Sequence, residues 1–134
     1  MAKTVLVVDD IAFVRKTLTQ ILTDAQYQVV GEAADGNEAV NLFAKFKPDI
    51  VTMDLVMPNL SGIEATRKIL RIDKNAKVVI ISAMGQENLI MEAINVGVKD
   101  YILKPFVAED IIRTLERALL GEQNVLGRSV SKGG

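Results

Sequence analysis

Cysteine and histidine are both missing from this 134-residue chain. Without cysteine there is no disulfide framework, no thiolate metal site and no cysteine nucleophile. Without histidine, a Ser-His-Asp triad, an imidazole metal site and a phosphohistidine relay on this chain are excluded. Any metal bound here must take oxygen ligands, which selects magnesium, calcium or manganese over zinc. A surplus of charge is missing too. Sixteen Lys and Arg stand against 17 Asp and Glu, a formal charge of -1, so nucleic acid and anionic membranes find no general attraction. No apolar run approaches a membrane span, and the start Met-Ala-Lys-Thr enters a strand-like stretch without a signal-peptide pattern. The cytoplasm is the expected compartment.

What is present is ordinary for one globular domain, with 49% hydrophobic and 25% charged residues. A chain of this length buries roughly two thirds of its unfolded surface, enough for a core without a clip. Short β-branched runs occur at Val5 to Val8, Val29-Val30, Ile50 to Met53, Val78 to Ile81 and Tyr101 to Leu103. The central ones are apolar on both faces, as strands covered from two sides should be. Between them lie stripes with helical spacing: Val14, Leu18, Ile21, Leu22, Ala25; then Ala39, Leu42, Phe43, Phe46. A weaker stripe follows at Ala65, Ile69 and Ile72, and further ones at Ile90, Ala93, Ile94, Gly97 and at Ile111, Ile112, Leu115, Leu119.

Breakers punctuate the alternation at Asp35-Gly36, Lys47-Pro48, Met57-Pro58 through Gly62, Gly97 and Pro105. Strand and helix alternate five times, which predicts an α/β, doubly wound, five-stranded parallel sheet with five helices on its two faces. One domain is expected over residues 1–120, its elements running from about Lys3 to Leu120. Residues 121–134, rich in Gly, Ser and polar side chains, are expected to be a flexible C-terminal tail.

In open parallel sheets, ligands bind beyond the carboxyl ends of the strands. Strand one ends in Asp9-Asp10, strand three in Asp54, strand four in Ser82-Ala83 and strand five in Lys104-Pro105. Three carboxylates, a hydroxyl and an ammonium therefore share one edge. Each has a plain alternative: the acidic pair as a helix cap, Asp54 as a turn residue, Ser82 as a strand-end hydroxyl, Lys104 as a solvated charge. Their coincidence on one edge argues against all four at once. Crowded carboxylates cannot all stay ionised alone, and a hard divalent cation relieves the repulsion. On this reading Asp10 and Asp54 ligate Mg²⁺ directly and Asp9 acts through water. Lys104 and Ser82 make sense if a phosphoryl group also visits, because its remaining oxygens need donors. A carboxylate beside a metal is itself a competent nucleophile, giving an acyl phosphate.

The runs Val7-Val8-Asp9-Asp10, Asp54-Leu55-Val56-Met57-Pro58-Asn59-Leu60-Ser61-Gly62, Ser82-Ala83 and Lys104-Pro105-Phe106 resemble the receiver domain of two-component response regulators. The resemblance covers Lys3 to Leu120. Within the family, Asp49 to Asp54 and Ser82-Ala83-Met84-Gly85-Gln86 look like the stand-alone chemotaxis branch. The resemblance implies a flavodoxin-like sheet in the order 2-1-3-4-5. It implies phosphorylation of Asp54 by a histidine kinase, with Mg²⁺ (Mn²⁺ as a substitute) held by Asp9, Asp10, Asp54 and the carbonyl of Val56. It further implies Ser82 and Lys104 as phosphoryl contacts, a cis peptide at Lys104-Pro105, and Ser82 with Tyr101 as the switch. Serine at 82 departs mildly from the commoner threonine, keeping the hydroxyl.

The implied output is a monomer whose face formed by the fourth helix, fifth strand and fifth helix binds a flagellar motor switch protein, with a phosphatase as a further partner. As Ser82 moves to the phosphoryl oxygen, Tyr101 turns into the vacated space. Driving such an equilibrium from 1:99 to 99:1 takes about 5.5 kcal/mol. A few charge-assisted hydrogen bonds are of that order. No catalysis is expected beyond the protein's own phosphorylation and dephosphorylation. Val56 and Met84, each two residues past a site residue, cannot orient water, so slow self-hydrolysis is expected. Phe13, opening the first helix beside the acidic pair, is a candidate kinase contact. The basic run Arg67, Lys68, Arg71, Lys74 is expected to be a solvated face.

Three alternatives remain at this point. A phosphorelay shuttle would pass the group to a histidine phosphotransfer protein by the same chemistry. A Mg²⁺-dependent aspartyl phosphatase of the haloacid dehalogenase type would want a second acid where Val56 stands. A flavin or nucleotide binder would want a Gly- or Ser-rich first turn, where Asp9-Asp10-Ile11-Ala12-Phe13 stands instead.

Overall fold

Ten elements alternate along the chain. They are β1 (Thr4–Val8), α1 (Ala12–Asp24), β2 (Gln28–Ala33), α2 (Gly36–Phe46), β3 (Ile50–Asp54), α3 (Gly62–Ile72), β4 (Val78–Ala83), α4 (Glu87–Val96), β5 (Asp100–Lys104) and α5 (Ala108–Leu119). The structure, a computed structural model, describes residues 2–121; the tail expected over 121–134 lies, past Gly121, outside the described residues. The strands form one sheet in the order β2-β1-β3-β4-β5, and all four pairings are parallel. This is the doubly wound, flavodoxin-like order that the resemblance implied.

Two separate cores explain the aliphatic runs. Leu6, Val8, Val51, Met53, Val78 and Ile80 pack with Ala39, Phe43, Ile69 and Ala93 of α2, α3 and α4. Their neighbours Val5, Val7, Ile50, Val79 and Ile81 point the other way, into Leu18, Leu22, Ile111, Leu115 and Ala118 of α1 and α5. Successive strand residues face opposite sides, so a strand covered by helices twice has no polar face to show. All five residues of the central β3 are buried. The strands of this sheet therefore differ in chemistry mainly at their ends.

Local chemistry sets the helix boundaries. The Asp35 carboxylate accepts the Glu38 N–H at 2.9 Å and the Ser61 hydroxyl accepts the Glu64 N–H at 3.2 Å, capping α2 and α3. Lys47 closes α2 in the left-handed region (φ 43°) just before Pro48, and Gly97 (φ 126°) closes α4. Two expectations are corrected. β2 runs over six residues, Gln28–Ala33, rather than the apolar pair Val29-Val30, because backbone pairing with β1 defines an edge strand whose side chains are half exposed. Phe46 and Ile72 are 42% and 40% exposed rather than core. Each is the last residue of its helix, where the next turn that would cover it is missing. The buried face of α3 is instead Ile63, Ala65, Thr66 and Ile69.

The start of α3 is pressed onto the end of β3. Gly62 donates its N–H to the Leu55 carbonyl at 2.9 Å, and a Cβ on Gly62 would lie 2.0 Å from the Asp54 carbonyl oxygen. No side chain fits there, which accounts for glycine eight residues after Asp54. A Gly62→Ala protein should lose at least about 2 kcal/mol of stability, the usual cost of forcing atoms into a packed site. Urea unfolding measures this; Gly31→Ala, whose Cβ would meet only side-chain atoms at 3.4 Å or more, is the control for the clash.

Candidate functional site

The acids meet where the topology brings the strand ends together. β1 and β3 are neighbours, with Val8 beside Met53 in the register, so Asp9 and Asp54 are the next residues along adjacent strands. Asp9, Asp10 and Asp54 each present a carboxylate oxygen, and these oxygens all lie within 4.8 Å of one another. Asp9 is fully buried and Asp54 nearly so (6% exposed), while Asp10 is exposed. The capping alternative for the acidic pair fails, because the residue that caps α1 is Ile11 and no side chain caps the helix. Asp9 instead accepts the Ile11 N–H at 2.9 Å and turns its other oxygen to Lys104.

Lys104 is the cation that the fold supplies. Its Nζ lies 3.0 Å from Asp9 Oδ2 and 3.7 Å from Asp54 Oδ1, so it is not a solvated loop charge. It arrives from β5, on the far side of β4 from β3, and the peptide bond that follows, Lys104-Pro105, is cis. One ammonium does not offset three carboxylates. The Asp54 carboxyl is pushed up to about 7, first by burial and next by the charge of Asp9; Lys104 pulls it down, and Asp10 adds to the rise. Near neutrality, without a metal, Asp54 is therefore protonated part of the time. Oxygen-only ligands, crowded negative charge and an exposed side at Asp10 fit a hard divalent cation.

Ser82 is fully buried at the end of β4, but its hydroxyl is engaged by the Gln86 side chain and makes no bond to the acids. Tyr101 is half-buried and packs against the core under α2, α3 and α4. It sits opposite Ile80 in the register, while Ser82 faces Leu103, so Ser82 and Tyr101 project from the same side of the sheet. Val56 (54% exposed), Met84 (73%) and Phe13 (77%) are all open on the surface near these loops. Phe13 is thus not a core residue. Of the basic run, Arg67 pairs with Glu64 at 3.1 Å and Glu92 at 3.3 Å, which ties α3 to α4.

Arg15 is the residue that motif reading missed. Its Nη1 donates to the Asp9 carbonyl at 2.8 Å and its Nε lies 3.3 Å from Glu32 on β2, so it braces the turn that carries the acidic pair. No spacing along the chain signals this. The contact exists because β2 lies beside β1.

A family model described as the response regulator receiver domain matches residues 5–116. The chemotaxis protein CheY of Thermotoga maritima is 50% identical over 117 residues, covering 87% of this chain and 98% of that protein. CheY of Listeria monocytogenes is 45% identical over 113 residues, covering 84% and 95%. Among solved structures, a CheX–CheY–BeF3–Mg²⁺ complex from Borrelia burgdorferi matches with a TM-score of 0.81 at 39% identity, covering 84% of this chain and 86% of that one. Among the described residues no helix is long and apolar enough to cross a membrane.

The raised Asp54 carboxyl has a consequence for stability. Its folded value, about 7, lies above the ordinary 3.8, so the folded state binds the proton more tightly than the unfolded chain. The metal-free protein should be most stable below about pH 4 as far as this group is concerned, and lose stability progressively as pH rises towards 7. Asp54→Asn should flatten that slope and raise stability at pH 8. Chemical denaturation across pH in a chelating buffer checks both.

Proposed function

From membership of the response regulator receiver family, to which this chain belongs, we propose that Asp54 accepts a phosphoryl group from a histidine kinase and that the modified protein acts by binding a partner. The observation that carries this is the nearly buried Asp54, gathered with Asp9 and Asp10 and reached by Lys104. In the transfer, an ionised Asp54 oxygen forms a bond to phosphorus. The bond from phosphorus to the kinase's imidazole nitrogen breaks, and its electron pair stays on that nitrogen. Lys104, already in place, draws the carboxyl towards the ionised form that can attack. Asp9, Asp10, Asp54 and the Val56 carbonyl would hold Mg²⁺, with Mn²⁺ able to substitute. When bound, the ion neutralises the clustered carboxylates and the phosphoryl oxygens. Ser82 and Lys104 donate to the phosphoryl oxygens that the ion does not cover. The exposed Phe13 stands beside the acidic pair as an apolar contact for the kinase.

The chain turns over no substrate of its own on this reading. An aspartyl phosphatase needs an acid at position 56, and the exposed Val56 offers none. Output runs through Ser82 and Tyr101 to the face made by α4, β5 and α5, in the cytoplasm, as a monomer. A flagellar motor switch protein is the target, supported by relatives that carry the name of a chemotaxis protein. A phosphatase is a further partner on this reading.

Incubation with acetyl phosphate and Mg²⁺ should add the mass of one phosphoryl group, and Asp54→Asn should abolish the gain. Steady turnover of phosphate esters would instead mark a phosphatase. A pull-down with beryllofluoride should capture a motor switch protein; capture of a histidine phosphotransfer protein would make the chain a relay shuttle. The phosphorylated protein should also decay slowly, because Val56 and Met84 cannot orient a water. Val56→Asn with Met84→Glu should speed the decay by roughly tenfold or more. Loss of the phosphoryl mass with time reads the rate.

A further inference from the structure

The Gln86 side chain folds back from the start of α4 onto the end of β4. Its Oε1 accepts from the Ala83 N–H at 3.1 Å and is also hydrogen-bonded to the Ser82 hydroxyl. A backbone N–H can only donate, so the amide atom facing it is the oxygen, and the hydroxyl in turn donates to that oxygen. Gln86 is the residue before α4, yet its side chain caps nothing there. Its one evident role is to draw two donors from consecutive residues onto a single neutral acceptor.

Those donors lie next to Asp54. The register pairs Asp54 with Ile81, so Ser82 and Ala83 follow directly along the neighbouring strand. A phosphoryl oxygen carried on Asp54 is an acceptor of the same kind, with charge added. We propose that Gln86 is an internal stand-in for the phosphoryl group: its amide oxygen occupies the donors of Ser82 and Ala83 until a phosphoryl oxygen displaces it. This inference rests on the reading of Asp54 as the phosphoryl acceptor and assigns the residue that opposes the switch.

The chemistry sets the order of preference. A hydrogen bond to a charged acceptor is roughly twice as strong as one to a neutral acceptor, so a phosphoryl oxygen outcompetes a carboxamide. A carboxylate at position 86 would hold the donors more firmly and add negative charge beside a phosphoryl dianion. Displacement also has room, since Gln86 is itself half-exposed and Ala83, Met84 and Gly85 beside it are exposed. Because Gln86 adjoins the first turn of α4, its release frees the helix that borders the proposed output face.

The test is a calorimetric titration of beryllofluoride, a phosphoryl mimic, at saturating Mg²⁺. Gln86→Ala should bind roughly tenfold tighter than the unaltered protein, about 1.4 kcal/mol. Gln86→Met keeps the length without the oxygen and should match it. Gln86→Glu should bind roughly tenfold more weakly. Thermal melting of the metal-free proteins should move the opposite way for Gln86→Ala, with no gain in stability, because a tie has been removed. Equal affinities for the unaltered protein, Gln86→Ala and Gln86→Met overturn the role of Gln86 and leave Asp54 as the acceptor. Failure of the unaltered protein to bind beryllofluoride overturns both.

Discussion

Mutual repulsion among three carboxylates is the constraint around which this molecule is arranged. Asp9, Asp10 and Asp54 stand closer than their charges favour, and only Lys104 answers them from within the described residues. Burial makes the repulsion stronger, because little water is left to screen it. The arrangement persists because the cost is met elsewhere, by two aliphatic cores and a sheet whose central strand is wholly enclosed. A site held in this state is poised for a ligand that brings positive charge. Once that charge is present, the nucleophile no longer needs to hold a proton.

The parallel sheet is what makes such crowding attainable. Every strand runs the same way, so every strand ends on the same edge, and polar residues that would break a strand interior are tolerated just past it. Beside the acids, Ser82 and Ala83 present donors that are already satisfied by Gln86. Acidic pocket and donor pair are thus neighbours with opposite needs, one short of cation and the other engaged by an internal acceptor. A phosphoryl group with its ion answers both at once. Tyr101, half-buried on the same side of the sheet as Ser82, couples that change to the surface around β5 on the proposed reading.

Much of the site was legible because the alternation of aliphatic runs and helical stripes is regular enough to number the strand ends. Asp54 reads as a strand end since Ile50 to Met53 is unbroken before it and Met57-Pro58 follows soon after. Glycine at 62 is legible as a breaker, but not its reason, which is the Asp54 carbonyl pressed against it. Phe46 and Ile72 fit their stripes and yet lie exposed, because spacing says which way a side chain points and not whether anything covers it. The edge strand β2 was underestimated for a related cause: its pairing with β1 is a backbone property, and half-exposed side chains leave a weak pattern.

The chain's order of residues determined by itself the alternation of elements, the exclusion of thiolate and imidazole chemistry, and which polar groups fall at strand ends. Those are local facts, set by side-chain type and by the periods of helix and strand. Only the tertiary structure decided that Lys104 reaches Asp9 and Asp54, that Arg15 braces the Asp9 carbonyl against Glu32, and that Gln86 holds Ser82. The first two depend on which strands become neighbours and the third on how the chain turns after β4. These are properties of three-dimensional packing that no spacing along the chain encodes, because a hydrogen bond or an ion pair is decided over distances of about 3–4 Å in space.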